Sequence, residues 1–249
     1  MAKILGVIPA RLDSRRLPRK VLLKIAGKPM LSWVYRNARR SALLTEVIVA
    51  TDSEEVRNYC ISENIPVLMT GRHPSGSDRL HEVMLRTDAE VYANIQGDEP
   101  TLRPDHLELL LSPFLTGNAQ VTTLKVELDP ARASDPNTVK VVTDDSGRAL
   151  YFSRHAIPFD RDAGGGVRYF KHIGLYAYSR KALALFHELP QSSLETAEKL
   201  EQLRFLQNGI PIHVLETPHD TIGVDTEADL ARVENLFSKN SLYTEHRKS

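Results

Sequence analysis

Ile4-Leu5-Gly6-Val7-Ile8-Pro9-Ala10-Arg11-Leu12-Asp13-Ser14-Arg15-Arg16-Leu17-Pro18-Arg19-Lys20 decides how the rest of the chain is read. Residues 4–8 are a short apolar run with β-branched side chains, the pattern of a strand buried on both faces in a parallel sheet. Pro9 ends the ladder because it has no N–H to donate. The loop that follows carries five cations, Arg11, Arg15, Arg16, Arg19 and Lys20, against one anion, Asp13. A loop leaving the carboxyl end of a first parallel strand lies where open α/β sheets bind ligands. Arginine offers a planar fork and lysine a point charge, and both suit phosphate oxygens. The charge alone is equally compatible with a solvated basic loop. As a triphosphate cradle, the loop needs the rest of the chain to supply a metal site and a second substrate site.

Working outward, Val21-Leu22-Leu23 reads as a short extended piece and Gly27-Lys28-Pro29 as a turn. Leu31, Val34 and Ala38 have helical spacing within residues 30–40, and Val47–Ala50 is a second strand. Thr51-Asp52-Ser53 offers caps for a helix through about Ser62. Pro66–Met69 and Val91–Ile95 are further strands, with a helix to about Arg86 between them and another near Pro104–Leu111. This alternation predicts right-handed βαβ units on a mostly parallel sheet flanked by helices, a Rossmann-like α/β fold.

The pattern then changes. Val121–Val126, Val139–Val142, Leu150–Ser153 and Tyr169–Tyr176 read as strands, with a hairpin turn at Asp144-Asp145-Ser146-Gly147. They predict a small antiparallel extension over about residues 120–180, serving as a lid and in dimerisation, within one domain spanning 1–238. Residues 160–167 read as a surface loop. Leu194–Gln207 reads as one amphipathic helix, burying Leu194, Ala197, Leu200, Leu203 and Leu206, with Glu195, Glu198 and Gln202 on a polar face. Pro211–Leu215 is a strand, Glu227–Phe237 a last helix, and 239–249 a polar tail.

Composition narrows the function. A chain of 249 residues that is 41% hydrophobic can bury a full core. Thirty-two basic and 32 acidic side chains cancel, which argues against a nucleic-acid partner and makes the basic loop a local feature. The single cysteine, Cys60, permits no intrachain disulfide and reads as core filler. No apolar stretch approaches the ~18 residues of a membrane span, and the N-terminus is unlike a signal peptide, so a cytoplasmic enzyme is expected. No G-x-G-x-x-G follows the first strand and no Walker motif occurs, which disfavours a dehydrogenase or a P-loop enzyme.

Several positions carry candidate chemistry. Ser75, Gly76 and Ser77 open a helix, where free N–H groups can hold an anion or simply form a cap. Asp98 follows the strand at 91–95, placed to hold Mg²⁺ beside phosphates or to make a turn before Pro100. Alternation puts His172 and Tyr176 on one side of their strand. Asp225 or Thr226 can cap the final helix.

Ile8-Pro9-Ala10-Arg11, with Ser14, Arg16-Leu17-Pro18 and Lys20 at fixed spacing, resembles the signature loop of sugar nucleotidyltransferases. It is most similar to that of 3-deoxy-manno-octulosonate (Kdo) cytidylyltransferases, with Arg19 standing where that family usually has Gly. His73-Pro74-Ser75-Gly76-Ser77-Asp78-Arg79-Leu80 resembles the family's His-x-Ser-Gly-Thr-Glu-Arg-Leu, and Gln96-Gly97-Asp98-Glu99-Pro100 matches unaltered. Asn137–Val142, Tyr151–Pro158, His172-Ile173-Gly174-Leu175-Tyr176, Leu200-Glu201-Gln202-Leu203-Arg204 and the segment around Asp225 complete a likeness from residue 4 to about 230.

The resemblance implies a nucleotide-diphospho-sugar-transferase-like fold and a homodimer. It also implies the reaction of CTP with Kdo to give CMP-Kdo and pyrophosphate, ahead of lipopolysaccharide assembly. It implies Pro9, Ala10, Arg11, Lys20, Ser75, Gly76 and Arg79 at the nucleotide, with Arg11, Arg16, Lys20 and Asp98 as the catalytic set. Asp98 and Asp225 would hold Mg²⁺, and Gln96, His172, Tyr176, Glu201 and Gln202 would contact the sugar acid, with Arg154 at its carboxylate. An 8-amino-Kdo or another 2-keto sugar acid is the alternative acceptor, and the Gln-Gly-Asp-Glu-Pro and Leu-Glu-Gln-Leu-Arg strings disfavour a nonulosonate. A non-catalytic nucleotide-binding module is the alternative outside the class, against which both metal-type aspartates are present.

Overall fold

Ile4, Leu5, Val7 and Ile8 are buried along β1 (Ile4–Pro9), a central strand of the first of two compact units in the computed structural model. The structure describes residues 2–13, 16–117, 119–162 and 166–239. Ser14 and Arg15, residues 163–165 of the surface loop, and the tail from 240 lie outside them. The first unit comprises residues 3–107 together with the chain from Thr221 onward, and the second comprises 108–220.

In the first unit, Lys20–Leu22 is a single 3₁₀ turn and not the extended piece expected there. The Arg19 carbonyl accepts from Leu22 N–H at 2.9 Å, a local bond that the apolar character of Val21 and Leu22 does not announce. β2 (Lys24–Ile25) and β3 (Lys28–Pro29) make a hairpin across Ala26 and Gly27, both at positive φ. α1 (Met30–Arg39), β4 (Glu46–Thr51), α2 (Glu54–Ser62), β5 (Val67–Met69), α3 (Gly76–Arg86) and β6 (Val91–Asn94) follow. The strands run in the order β6-β1-β4-β5, all parallel, with the helices as crossovers. The Ser53 hydroxyl caps α2 by accepting from Val56 N–H at 3.3 Å. Cys60 on α2 is buried, and burial pushes its thiol up to about 11, so it behaves as an inert filler.

The second unit is built differently. After α4 (Pro104–Leu115), β7 (Val121–Leu128), β8 (Lys140–Thr143), β9 (Ala149–Ser153) and β10 (Tyr169–Ser179) pair antiparallel as β7/β10, β10/β8 and β8/β9. The expected turn at Asp144–Gly147 joins β8 to β9, with Gly147 at φ 79°. α5 (Arg180–Glu188) leads to α6 (Ser193–Glu198) and α7 (Leu203–Gln207), and β11 (His213–Glu216) then pairs parallel to β7.

The single amphipathic helix expected over 194–207 is thus two short ones. Lys199 breaks it by adopting the left-handed conformation, φ 55° and ψ 47°. The buried Glu195 carboxylate receives Arg204 Nε at 2.8 Å and Nη2 at 2.6 Å, from nine residues away. At about 100° per residue, positions nine apart lie on opposite faces of a continuous helix, so this buried pair forms only if the helix turns back. Leu194 and Ala197 are accordingly exposed, while Leu200, Leu203 and Phe205 are buried.

Back in the first unit, α8 (Glu227–Lys239) starts with a reciprocal cap. The Thr226 hydroxyl accepts from Asp229 N–H at 3.2 Å and the Asp229 carboxylate accepts from Thr226 N–H at 2.9 Å. Leu17, Ile25, Met30, Trp33, Val224, Val233 and Phe237 form a core that ties the basic loop, the hairpin, α1 and α8 together. Trp33 and Phe237 meet edge to face at 4.8 Å, and Trp33 Nε1 donates to the Ile25 carbonyl at 2.8 Å. Among the described residues, no helix is long and apolar enough to cross a membrane. Replacing Phe237 with Ala should lower unfolding stability by about 3–5 kcal/mol in urea titration, with a smaller loss for Phe237→Leu. Equal losses for the two would mean that the ring's volume is not what holds α8.

Candidate active site

The first unit holds a cleft of about 850 Å³ lined by the basic loop, by the loop opening α3, by the segment after β6 and by Asp225. Pro9, Ala10, Arg11, Arg16, Lys20, Ser75, Gly76, Arg79, Gln96, Asp98 and Asp225 all line it, so eleven residues named from sequence share one cavity. It lies where β1 and β6 end, the edge at which parallel sheets present ligand sites.

At its centre, the Lys20 ammonium donates to a carboxylate oxygen of Asp98 and, at 2.9 Å, to Oδ1 of Asp225. Arg16 Nη2 donates to Asp225 Oδ2 at 2.8 Å. The two aspartates are brought together by the backbone, since the Asp98 carbonyl accepts from Val224 N–H at 2.9 Å. Burial pulls the Lys20 pKa down, but Asp98 and Asp225 together outweigh it and hold the ammonium above its ordinary value. Burial likewise pushes Asp225 up, and Lys20 and Arg16 reverse this to leave its carboxyl below the usual range.

Two carboxylates already sharing one cation are a donor set that suits Mg²⁺, which takes one or two carboxylates and completes its shell with phosphate oxygens and water. Among the described residues no group of three or more acidic, His or Cys side chains could hold a metal ion, so a metal here would depend on such outside ligands.

Other cleft residues are held by partners of their own. The Arg79 guanidinium is buried, donating to Asp52 at 3.0 Å and to the Thr70 hydroxyl. Ser75 caps α3 by accepting from Asp78 N–H at 3.1 Å. His73, whose Nε2 lies 2.6 Å from a Glu82 carboxylate oxygen, also lines the cleft. Arg19 keeps a left-handed backbone, φ 59° and ψ 22°, a conformation glycine adopts without penalty, and its side chain donates to Glu55 on α2. At Gly97 an added Cβ would lie 2.9 Å from the Pro9 carbonyl oxygen, so only glycine lets the segment after β6 pass this close to the end of β1.

The remaining candidates, Arg154, His172, Tyr176, Glu201 and Gln202, lie in the second unit. His172 and Tyr176 touch as alternation predicts, ring centroids 5.4 Å apart, although β10 bulges between Ile173 and Tyr176. His172 Nε2 is 3.0 Å from the Thr123 hydroxyl, and Phe152 packs edge to face on its ring. Burial, with a smaller push from Lys171, lowers the His172 pKa from 6.5 to about 3, so the ring is neutral. Tyr176 Oη and Gln202 Nε2 are buried with no hydrogen-bond partner among the described residues. Arg154 Nε and Nη1 donate to the backbone carbonyls of Glu198 and Pro136, and the Glu198 carboxylate accepts from the Ser153 hydroxyl and the Arg154 N–H. Glu198 is the residue the sequence reading missed here, because the broken helix turns its expected solvent face inward.

A family model described as cytidylyltransferase matches residues 5–215. A 3-deoxy-manno-octulosonate cytidylyltransferase from Acidobacterium capsulatum is 56% identical over 94% of this chain and 96% of its own length. The enzyme of the same name from Koribacter versatilis is 53% identical over 94% and 90%.

The chain belongs to the 3-deoxy-manno-octulosonate cytidylyltransferase family.

A solved structure of CMP:2-keto-3-deoxy-manno-octonic acid synthetase complexed with CTP superposes with a TM-score of 0.92 at 45% identity, covering 96% of this chain and 99% of that one. A 4-diphosphocytidyl-2C-methyl-D-erythritol synthase from Anaerococcus prevotii, 12% identical with a TM-score of 0.64 over 96% and 99% of the two chains, shares the fold alone. The expected family and α/β nucleotidyltransferase fold are therefore both found.

Two outcomes follow from the site. Gly97→Ala must push the segment that carries Asp98 away from the Pro9 carbonyl, so turnover should fall about a hundredfold and urea stability should drop with it; unchanged turnover would show the approach is not needed. For His172, the unfolded chain binds more protons than the folded one between pH 6.5 and about 3, so stability falls as pH drops through that window. His172→Gln should flatten this fall, measured as urea unfolding at about pH 7 and about pH 5.

Proposed function

We propose that this protein is a cytidylyltransferase that joins CTP to Kdo, giving CMP-Kdo and pyrophosphate. In this reading it works in the cytoplasm as a homodimer, ahead of lipopolysaccharide assembly. The observation that carries the reading is the charge cluster in the cleft, where Lys20 pairs with Asp98 and Asp225, Arg16 pairs with Asp225, and Arg11 lines the same cavity. It is supported by the full-length likeness to enzymes of that name.

The reaction needs such a cluster. The hydroxyl oxygen on C2 of the sugar attacks the α-phosphorus as its proton passes to water, the bond to the α,β-bridging oxygen breaks, and pyrophosphate departs. Both reactants are anions, so repulsion between the sugar's carboxylate and the triphosphate has to be cancelled before the atoms come into line. Arg11, Arg16 and Lys20 supply fixed positive charge where phosphate charge builds up. Pro9, Ala10, Ser75 and Gly76 border the nucleotide, and Arg79, pinned by Asp52, holds the shape of the loop. Asp98 and Asp225 would hold Mg²⁺, which when bound neutralises phosphate oxygens.

In the second unit, neutral His172 with the unpartnered Tyr176 Oη and Gln202 Nε2 offers uncharged donors and acceptors, which suit sugar hydroxyls. Glu201 extends that set and Arg154 serves the sugar's carboxylate, while Gln96, in the cleft of the first unit, is assigned a further contact to the sugar acid. With CTP and Mg²⁺, Kdo should drive pyrophosphate release, and Asp98→Ala should reduce kcat/KM about a hundredfold or more. Running 8-amino-Kdo beside Kdo identifies the acceptor. CTP binding without pyrophosphate release from either sugar would overturn the Kdo assignment in favour of a nonulosonate acceptor or a nucleotide-binding module.

A further inference from the structure

We propose that Lys20 is a built-in counter-cation that keeps a divalent metal off Asp98 and Asp225 until a nucleoside triphosphate draws its ammonium away. Metal then loads with or after the nucleotide, not before it. The inference rests on the reading of the cleft as a nucleotide and metal site, and concerns how that site is regulated.

The Lys20 ammonium takes an oxygen from each aspartate, and Arg16 takes the second oxygen of Asp225. A metal that bridges the two carboxylates through the oxygens Lys20 holds takes the ammonium's place between them. Two cations and two carboxylates already balance, so adding a divalent ion without displacing Lys20 puts like charges together in a half-buried place. Of the four side chains, Lys20 is the most enclosed at 14% exposure, against 26% for Asp98 and 48% for Asp225. An ammonium so placed is poorly hydrated and moves only to another anion. A triphosphate is such an anion, and the cleft that Lys20 lines has room for one. The lysine stem has four rotatable carbons and a head with three donors, so it can exchange carboxylate for phosphate while its backbone stays in the 3₁₀ turn. Arginine at this position would hold the carboxylates with a fixed fork and exchange less readily. The consequence is a positive coupling, in which nucleotide raises metal affinity and metal raises nucleotide affinity by the same factor.

The test is Mn²⁺ binding to nucleotide-free protein, followed by the electron paramagnetic resonance of the free ion. Lys20→Met should bind Mn²⁺ about tenfold more tightly than wild type while binding CTP more weakly. The double variant Lys20→Met/Asp98→Asn should lose that gain. A phosphate ligand with no second duty would weaken CTP and leave Mn²⁺ unchanged, and that result, or a weaker Mn²⁺ site, overturns the proposal. If the single variant Asp98→Asn, in its CTP complex, retains Mn²⁺ as well as wild type does, the metal reading itself has failed, a separate result from a missing gain in Lys20→Met. Should Lys20→Met not fold, wild-type crystals soaked in Mn²⁺ decide instead. An anomalous peak between Asp98 and Asp225 is expected only with CTP present, with Lys20 Nζ moved onto phosphate. A peak there without CTP overturns the proposal.

Discussion

Like charges cannot share a half-buried edge of a sheet without a cation between them, and the first unit is arranged around that constraint. Asp98 follows β6 and Asp225 precedes α8, and the bond from Val224 N–H to the Asp98 carbonyl brings them side by side. Lys20 meets both from the loop after β1, so three remote segments converge on one ammonium. A core cluster draws on two of these segments, with Leu17 from the loop, Val224 beside Asp225 and Phe237 from α8 packed on Trp33. Apolar burial positions the charges, and the charges define what the cleft can bind.

The second unit handles buried polarity in another way. Its buried ammonium, Lys140, bonds the backbone carbonyls of Asp135 at 2.8 Å, Thr138 at 2.5 Å and Arg154 at 2.6 Å, so it ties loops together and has no carboxylate to release. Burial lowers its pKa, whereas in the cleft of the first unit the two aspartates raise that of Lys20. Glu195 and Arg204 form a buried, bidentate pair that stabilises a helix break. His172 is kept neutral by desolvation. A region of neutral, partly unpartnered groups suits hydroxyl-rich ligands, as the charged cleft suits phosphates.

Local signals predicted the parallel half of the fold well, because strands and helices there are regular and their caps are local. Ser53 and Ser75 cap α2 and α3 where Ser/Thr/Asp patterns pointed. Local signals failed where a distant partner overrules them. Leucines at helical spacing from 194 to 206 suggested one helix, but the burial of Glu195 against Arg204 outweighs the exposure of Leu194 and Ala197. Likewise Val21 and Leu22 have strand-like composition, yet a local carbonyl bond closes them into a turn. Asp52 read as a cap candidate and Glu198 as part of a solvated face, and neither signalled its role here, since a residue that orients another is recognised only once both are in place.

The sequence by itself determined the family, the α/β class and which residue types line the cleft, because each of these is written in short motifs and local periodicity. Only the tertiary structure decided that Lys20 stands between Asp98 and Asp225, that Gly97 lies against the Pro9 carbonyl, and that Arg19 is held left-handed beside Glu55. Those are relations between segments far apart in the chain, and their geometry comes from sheet order and core packing, which no single segment encodes.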